Sequence, residues 1–417
     1  MKSLTKFFSS LQLTVILLIA SLALVFFGTL DQAQYGIYHT QNLYFEHVVA
    51  IWHYPEQWPG HEFFSWLQLP IPGGYLIGPL LVINLAFAHV RYFRASWKKA
   101  GIVLIHTGVL LLLIGQLWTQ IQQDEYALWL NEGQQKNYVE HFYDTEIVVT
   151  EKNAPQEGQD HVVAWDVDPL SFRDRPVLKQ AELPFHVQVL DYFPNAAIQA
   201  KAMAPEGATD AAAFYQVDRG IVSERDLVVM PARVSYQQGA ENWATAIVEL
   251  QGPGGQALGR WVVSEMFRQE RPMVMWFPPQ RFEYNGHTYE IALRKQREYL
   301  PASVELVDFS HDRYPGTNVP YNFSSEVKLH EAGKEHPRET LIYMNHPLRY
   351  HGLTFYQASF GNGDTASMFQ VVHNPAQVVP YISCIIVTIG LLFQFCLGLF
   401  QGVTRRNKAQ PAPQQEA

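Results

Sequence analysis

Cysteine is almost absent: the 417 residues contain two, Cys384 and Cys396. The 12 positions between them would span roughly 18 Å of helix, too far for a disulfide. Both are therefore expected to be core packing residues. Neither belongs to a C-x-x-C pair, which excludes dithiol redox chemistry by this chain, and there is no C-x-x-C-H site for covalent heme attachment. G-x-S-x-G, a Walker loop and G-x-G-x-x-G are missing too, so nucleophilic hydrolysis and nucleotide binding have no anchor. A net charge of −9 leaves no domain-wide basic face to neutralise phosphates, and nucleic acid is set aside as a partner.

Long apolar runs are what the chain does have. Leu11 to Leu30 is 20 residues without a charge, enough to cross a hydrocarbon layer of about 30 Å as a helix. No small-x-small cleavage site follows it before Asp31, so a retained span is expected rather than a signal peptide. Tyr75 to Tyr92, Ile102 to Trp118 and Val378 to Phe400 are read as three further spans, each bounded by charge or by Pro and Gly. Arg91, Arg94, Lys98 and Lys99 lie around the 93–101 connection, and Arg405, Arg406 and Lys408 follow the last span, whereas 31–74 has no Lys or Arg. By the positive-inside rule both termini (1–10 and 401–417) are cytoplasmic, and a large domain at 119–377 is extracytoplasmic. The Pro-, Gln- and Ala-rich tail from Lys408 is expected to be disordered.

Within 119–377 the apolar period changes to two, as at Tyr289, Ile291 and Leu293 alternating with Glu290 and Arg294. Similar runs at 146–150, 227–236, 244–250, 325–329 and 353–357 are separated by turn signals such as GPGG at 252–255 and Asn285-Gly286. The expected fold is four transmembrane α-helices plus a large extracytoplasmic β-rich, sandwich-like domain. Ala196 to Ala213 has neither period and is expected to be a mobile excursion from the sheet. The loop at 31–74 is crowded with aromatics, including Tyr54, Trp58, Phe63, Phe64 and Trp66, and either lies in the interface of the bilayer or lines a cleft above the spans.

An ionisable side chain inside a span is expensive, which singles out His89 in the second span and His106 in the third. Both lie toward the cytoplasmic side. Neutral imidazole is an axial ligand for heme iron, and His106 and His89 are the two heme-ligand candidates. Directly packed helices have axes only about 8–10 Å apart, leaving little room for a metal between two side chains. His106 is therefore expected to pair with a histidine of a partner subunit. The bland alternative is a histidine bonded to a carbonyl or snorkelling to the headgroups, and it weighs most on His89, three residues from Tyr92. The histidines of the β-rich domain are scattered and none has the H-E-x-x-H spacing, so no metal site other than heme iron is expected.

These residues resemble a family. The opening SLQLTVILLIASLALVFFGTL resembles the first span of ResB/CcsB proteins, and GIVLIHTGVLLLLIGQ is similar to their third. VELVDFSHDRYPGTNVPYNFSSEVKL and NHPLRYHGLTFYQASFG resemble the closing β region, where Asp308, Tyr314, Pro315, Gly316, Ser325, Pro347, Gly352, Tyr356 and Gln357 fall on recurring positions. The resemblance implies a bacterial cytoplasmic-membrane subunit of a cytochrome c heme-lyase complex, with transiently bound heme b as cargo. Its implied partners are a ResC/CcsA-type protein bearing a Trp-rich WWD segment and an apocytochrome c whose C-x-x-C-H thiols receive the heme. This chain has no such Trp cluster, and no catalytic residue is assigned to it. Two rival readings stay open: a heme b electron-transfer membrane cytochrome, and a non-catalytic membrane anchor for the β domain.

Overall fold

The computed structural model describes residues 2–92, 97–152, 160–168, 171–235, 242–267, 277–317, 320–361 and 364–409. They form two compact units, a helical one made of the residues up to Gln123 and from Asn374 onward, and a β one from Asp124 to His373.

The helical unit holds α1 (Lys2–Phe8), α2 (Leu11–Phe45), a hairpin of β1 (Val49–His53) and β2 (Gln68–Pro72), α3 (Gly74–Tyr92), α4 (Ala100–Gln122) and α5 (Val379–Ala409). Four stretches in these helices, Leu11–Ile37, Gly74–Arg91, Trp97–Gln122 and Val379–Val403, are long and apolar enough to cross a membrane. Ser10 starts α2 by accepting the Leu13 N–H at 3.2 Å, which satisfies one orphan donor of the first turn.

The chain does not become a loop after Leu30. Helix continues to Phe45 and is broken only at Gly36, whose φ of 73° is open to a residue without Cβ. The second arm turns back along the first, so that the Tyr44 hydroxyl donates to Asp31 at 2.7 Å. In a straight helix residues 13 apart would be about 20 Å apart. Asp31 looked like a boundary because a lone carboxylate belongs in water; with a phenol donor it is buried at 3% exposure instead.

Glycine sets the tightest helix contact. Gly101, Gly108 and Gly115 repeat every seven residues along the buried face of α4. A Cβ on Gly101 would lie 2.7 Å from the Gly390 carbonyl oxygen of α5, and one on Gly108 would lie 2.6 Å from Val387. Small residues let the two backbones approach this closely, which is the main source of helix association where no hydrophobic drive exists. α5 turns Ser383, Val387 and Gly390 toward α4, so Cys384, one position round the helix, is exposed. Cys396 is exposed as well. The expectation that both cysteines pack in a core is corrected accordingly. α5 runs to Ala409, beyond the expected end of the span at Phe400, and the remainder of the tail read as disordered, 410–417, lies outside the described residues.

The β unit contains β3 (Asp124–Asn131), β4 (Gln135–Glu151), β5 (His161–Asp166), β6 (Val177–Leu178), β7 (His186–Phe193), β8 (Ala196–Ala200), β9 (Leu227–Pro231), β10 (Thr245–Gln251) and β11 (Ala257–Ser264). It continues through β12 (Gln280–Tyr284), β13 (His287–Arg313), β14 (Pro320–Glu331), β15 (Arg338–Tyr343), β16 (Leu348–Tyr350), β17 (Leu353–Gly361) and β18 (Ala366–His373). A large antiparallel sheet runs β15-β14-β13-β4-β3-β18-β17-β16, with β12 and β5 attached beside β13 and β4. A second sheet, β11-β10-β7-β6, faces it.

Two long strands, β4 and β13, thread two cores. Ile147, Val149, Ile291 and Leu293 pack with Val187, Val248 and Val263 of the second sheet, which makes a sandwich layer. Farther along the same strands, Val139, Val304 and Leu306 join Leu128, Phe355 and Phe369 in another core. There the large sheet curls on itself. Ser325 of β14 donates to Gln357 of β17 at 2.6 Å and bonds Ser367 of β18 at 3.0 Å, although β14 and β17 are not neighbours in the strand order. Where the cores meet, Arg294 and Arg297 donate to Glu146 at 2.6 Å and Glu140 at 3.2 Å. The turn between β12 and β13 uses Asn285 and Gly286, both at positive φ, as the dipeptide predicts.

The Ala-rich stretch at 196–213 leaves the two main sheets but is built in at both ends, with 201–209 largely exposed between them. β8 pairs with β9, and Ala196, Ala211 and Ala212 are buried beside Ile198, Val229 and Phe277. Asp210 fixes the turn by accepting from Ala212 N at 3.0 Å and Val229 N at 3.1 Å.

Candidate functional site

The two membrane histidines come together. α3 carries His89 and α4 carries His106, and their ring centroids are 6.3 Å apart with planes inclined at 58°. His89 is half-buried and His106 is exposed on the surface of the helical unit. His106 thus lies on the α4 face beside α3, while the Gly101, Gly108 and Gly115 face is closed by α5.

Polar bonds fix α3 in place. Asn84, 2% exposed, donates to the Phe8 carbonyl oxygen at 2.7 Å and to Ser10 O at 3.3 Å, and accepts from Thr14 Oγ1 at 2.7 Å. About two turns farther on, Arg91 donates to Ser9 Oγ at 2.8 Å. α3 is thus tied to the junction of α1 and α2 on both sides of His89. A buried amide that satisfies three groups sets the rotation of the helix, and with it the direction of the imidazole.

Two metal–nitrogen bonds of about 2 Å, plus the ring radii, put the centres of two imidazoles on one metal about 6 Å apart. The observed 6.3 Å between the two ring centres is of that size. The exposure of His106 equally allows it to reach a ligand held by a neighbouring subunit.

Histidines of the β unit are engaged elsewhere. His161 bonds Glu182 at 3.0 Å, His287 lies 2.6 Å from Glu151, and His330 bonds Glu305 at 2.6 Å. The hydrogen bond from His141 holds the Asp144 carboxyl below the usual carboxylate range. His311 is packed among Phe309, Phe323 and Phe360, and its Nε2 accepts from Arg313 at 2.8 Å. Among the described residues no three His, Cys, Asp or Glu side chains are grouped to hold a metal. A cavity of about 200 Å³ lined by Thr150, Gln280, Glu290, Arg294 and Arg297 offers little for ligand chemistry, because both arginines already serve Glu146 and Glu140.

Comparison with known proteins points to the far end of the β unit. Residues 285–368 match the sequence model of the ResB-like family, covering β13 to β17 with the Ser325–Gln357 bond and the His311 cluster. The chain carries a ResB-like region. A stretch of 104 residues is 30% identical to the protein NrfI of Wolinella succinogenes, covering 25% of this chain and 12% of that protein. Over 58 residues it is 43% identical to the cytochrome c biogenesis protein CcsB of Prochlorococcus marinus, 14% of this chain and 13% of the relative. A CcsB from another strain of that species is 32% identical over 81 residues, 19% of this chain and 18% of the relative. The match to each of these three relatives thus covers less than one fifth of the relative's length.

Sequence reasoning singled out both membrane histidines but missed the Asp31–Tyr44 clamp. The only signal for it was the pairing of a carboxylate at the end of an apolar run with a glycine five residues later.

Proposed function

We propose that this chain is the ResB-type subunit of a cytochrome c maturation system, with heme as its cargo. The observation that carries this reading is His106, exposed on a membrane helix beside His89, in a chain that has a ResB-like region but no C-x-x-C-H of its own. Neutral imidazole supplies a nitrogen lone pair to heme iron. On the outward face of α4, His106 offers that lone pair to heme shared with a ResC/CcsA-type, WWD-bearing partner, while His89 stands beside it as second ligand or support.

The cationic 93–101 connection and the Arg405, Arg406 and Lys408 cluster lie in the cytoplasm, so the β unit is extracytoplasmic in a bacterial cytoplasmic membrane. There it receives the apocytochrome c. Heme exported with the partner meets the C-x-x-C-H thiols on that side, where thioether bonds form. This chain contributes binding and positioning rather than a catalytic residue, which makes it the non-WWD part of a heme lyase.

The test is the visible spectrum of the protein purified with and without its partner. A b-type spectrum that depends on the partner and disappears in His106→Ala supports delivery. The 6.3 Å pairing of the two rings gives one rival specific content: a heme held permanently by His89 and His106 would make the chain an electron-transfer cytochrome. In that case the protein alone shows the spectrum. Colourless protein in both preparations would leave only a membrane anchor and remove the proposal.

A further inference from the structure

The β1–β2 hairpin between α2 and α3 is apolar on its inner face and largely apolar on its outer one, where His53 opposite Gln68 is the polar pair at the end next to the connecting segment. Ala50, Trp52 and Ile71 point inward against Leu24, Tyr44 and Ile77, with Phe27 and Leu81 beside them. On the opposite face Val49 pairs with Pro72 and Ile51 with Pro70, and the connecting segment adds Phe63 and Trp66, 78% and 73% exposed. A sheet with an apolar outer face needs cover.

Two helices give the depth of this hairpin independently. A hydrocarbon layer of about 30 Å that begins at Leu11 ends near Leu30 at ~1.5 Å per residue, which puts Leu24 about 9 Å below the boundary and Phe27 about 5 Å below it. Counted from Gly74 down α3, Ile77 is about 5 Å deep and Leu81 about 10 Å. The Trp52 ring is 5.1 Å from the Phe27 ring, so the inner face of the hairpin sits at that depth. Its outer face, one strand thickness away, cannot be far from it.

An open strand edge is costly at such a depth, because unpaired N–H groups have no water. The bonds Gly73 N to Val48 O and Tyr54 N to Leu67 O fix which residues turn their backbone groups toward the other strand. By the alternation of an antiparallel pair, Gln68, Pro70 and Pro72 turn theirs outward along the free edge of β2. Two of these three β2 positions are proline and have no N–H to leave unpaired, whereas Val49, Ile51 and His53 turn theirs outward along the edge of β1. Residues 31–74 also carry four carboxylates and no Lys or Arg, so electrostatic attraction to anionic lipid is not what holds them.

We infer that the β1–β2 hairpin is a lipid-embedded element, its Val49, Ile51, Pro70 and Pro72 face and its Phe63 and Trp66 tip lying in the upper acyl and glycerol zone of a leaflet with zwitterionic headgroups. The inference rests on the four apolar helices and not on heme.

The test uses the full chain in phosphatidylcholine nanodiscs, with a nitroxide placed at Ile51→Cys or Phe63→Cys in a Cys384→Ser, Cys396→Ser background. Collisions with oxygen are expected to exceed those with a water-soluble nickel chelate at both sites, and addition of phosphatidylglycerol is expected to leave that ratio unchanged. Ready access of the chelate would overturn the inference in favour of a hydrated loop. Shielding from both reagents would overturn it in favour of a protein partner or a second copy. As a check free of new cysteines, tryptophan quenching by shallow-brominated phosphatidylcholine is expected to fall in Trp66→Phe; an unchanged quenched fraction counts against the inference.

Discussion

The two faces of α4 solve different problems. Toward α5, three glycines spaced by seven bring the backbones so close that the Gly390 carbonyl oxygen would sit 2.7 Å from a Cβ at Gly101. On another face, where the helix meets α3, two imidazoles sit 6.3 Å apart with His106 exposed. Close packing forfeits any space for a ligand, whereas a looser seam with ionisable groups leaves room for one. One helix therefore combines a structural seam and a candidate ligand seam, separated by rotation about its axis.

The sharpest way to break this contrast is to fill the close seam. In Gly108→Leu the new Cβ would lie 2.6 Å from Val387 Cγ2 and 3.0 Å from the Ser383 carbonyl oxygen, a backbone atom that cannot rotate away. α4 and α5 must part, at a cost we expect to exceed about 3 kcal/mol, the upper end for ordinary overpacking. Loss of a cooperative thermal transition in detergent is the expected readout; a near-native transition would show that the glycines are not what holds the pair. Changing the other face should do the reverse. His106→Ala removes an exposed side chain, so stability should move by no more than about 0.5 kcal/mol, while heme in the complex with its partner falls at least about tenfold, the equivalent of 1.4 kcal/mol of ligation. A fall in heme accompanied by an equal fall in folded protein would make His106 a packing residue.

How much of this was legible follows from the kind of signal each feature leaves. The four spans are visible because about twenty apolar residues in a row have few other uses, and the β unit because period two recurs between turn dipeptides. His89 and His106 stand out for the same reason, as ionisable groups within apolar runs. Their mutual approach does not, because helix rotation is set by Asn84 and Arg91 bonding to Phe8, Ser10 and Ser9, contacts about 75 to 80 residues away in sequence. The fold-back at Gly36 was hidden by Asp31, whose charge reads as a water boundary until its phenol partner is known. Burial of Ala196, Ala211 and Ala212 left no periodic trace because alanine fits either period.

Asn84 offers a smaller test of the ligand seam. Asn84→Ala removes the partner of two carbonyl oxygens and the Thr14 hydroxyl, and the cost should be about 1–2 kcal/mol, since polar bonds between membrane helices average well under their value in vacuum. If this amide sets the rotation of α3, a spin label near His89 should broaden its distance distribution to one near His106 in the variant. An unchanged distribution would assign the orientation to apolar packing instead.

The smallest effect belongs to the far side of α5. Ser383 is fully buried against α4 and returns its hydroxyl to the Val379 carbonyl oxygen at 2.8 Å, while its neighbour Cys384 is exposed. Ser383→Leu should repeat the damage of Gly108→Leu in milder form, because the Ser383 carbonyl and the Gly108 position face one another. Cys384→Ser, in contrast, exchanges a sulfur for an oxygen that can bond the preceding turn, as Thr388 does to the Cys384 carbonyl at 2.7 Å. Thermal stability should stay within about 0.5 kcal/mol of the parent. The pair of adjacent substitutions thus reads out helix rotation directly: a large loss at Cys384 with none at Ser383 would mean that α5 is turned by about 100° from the orientation described.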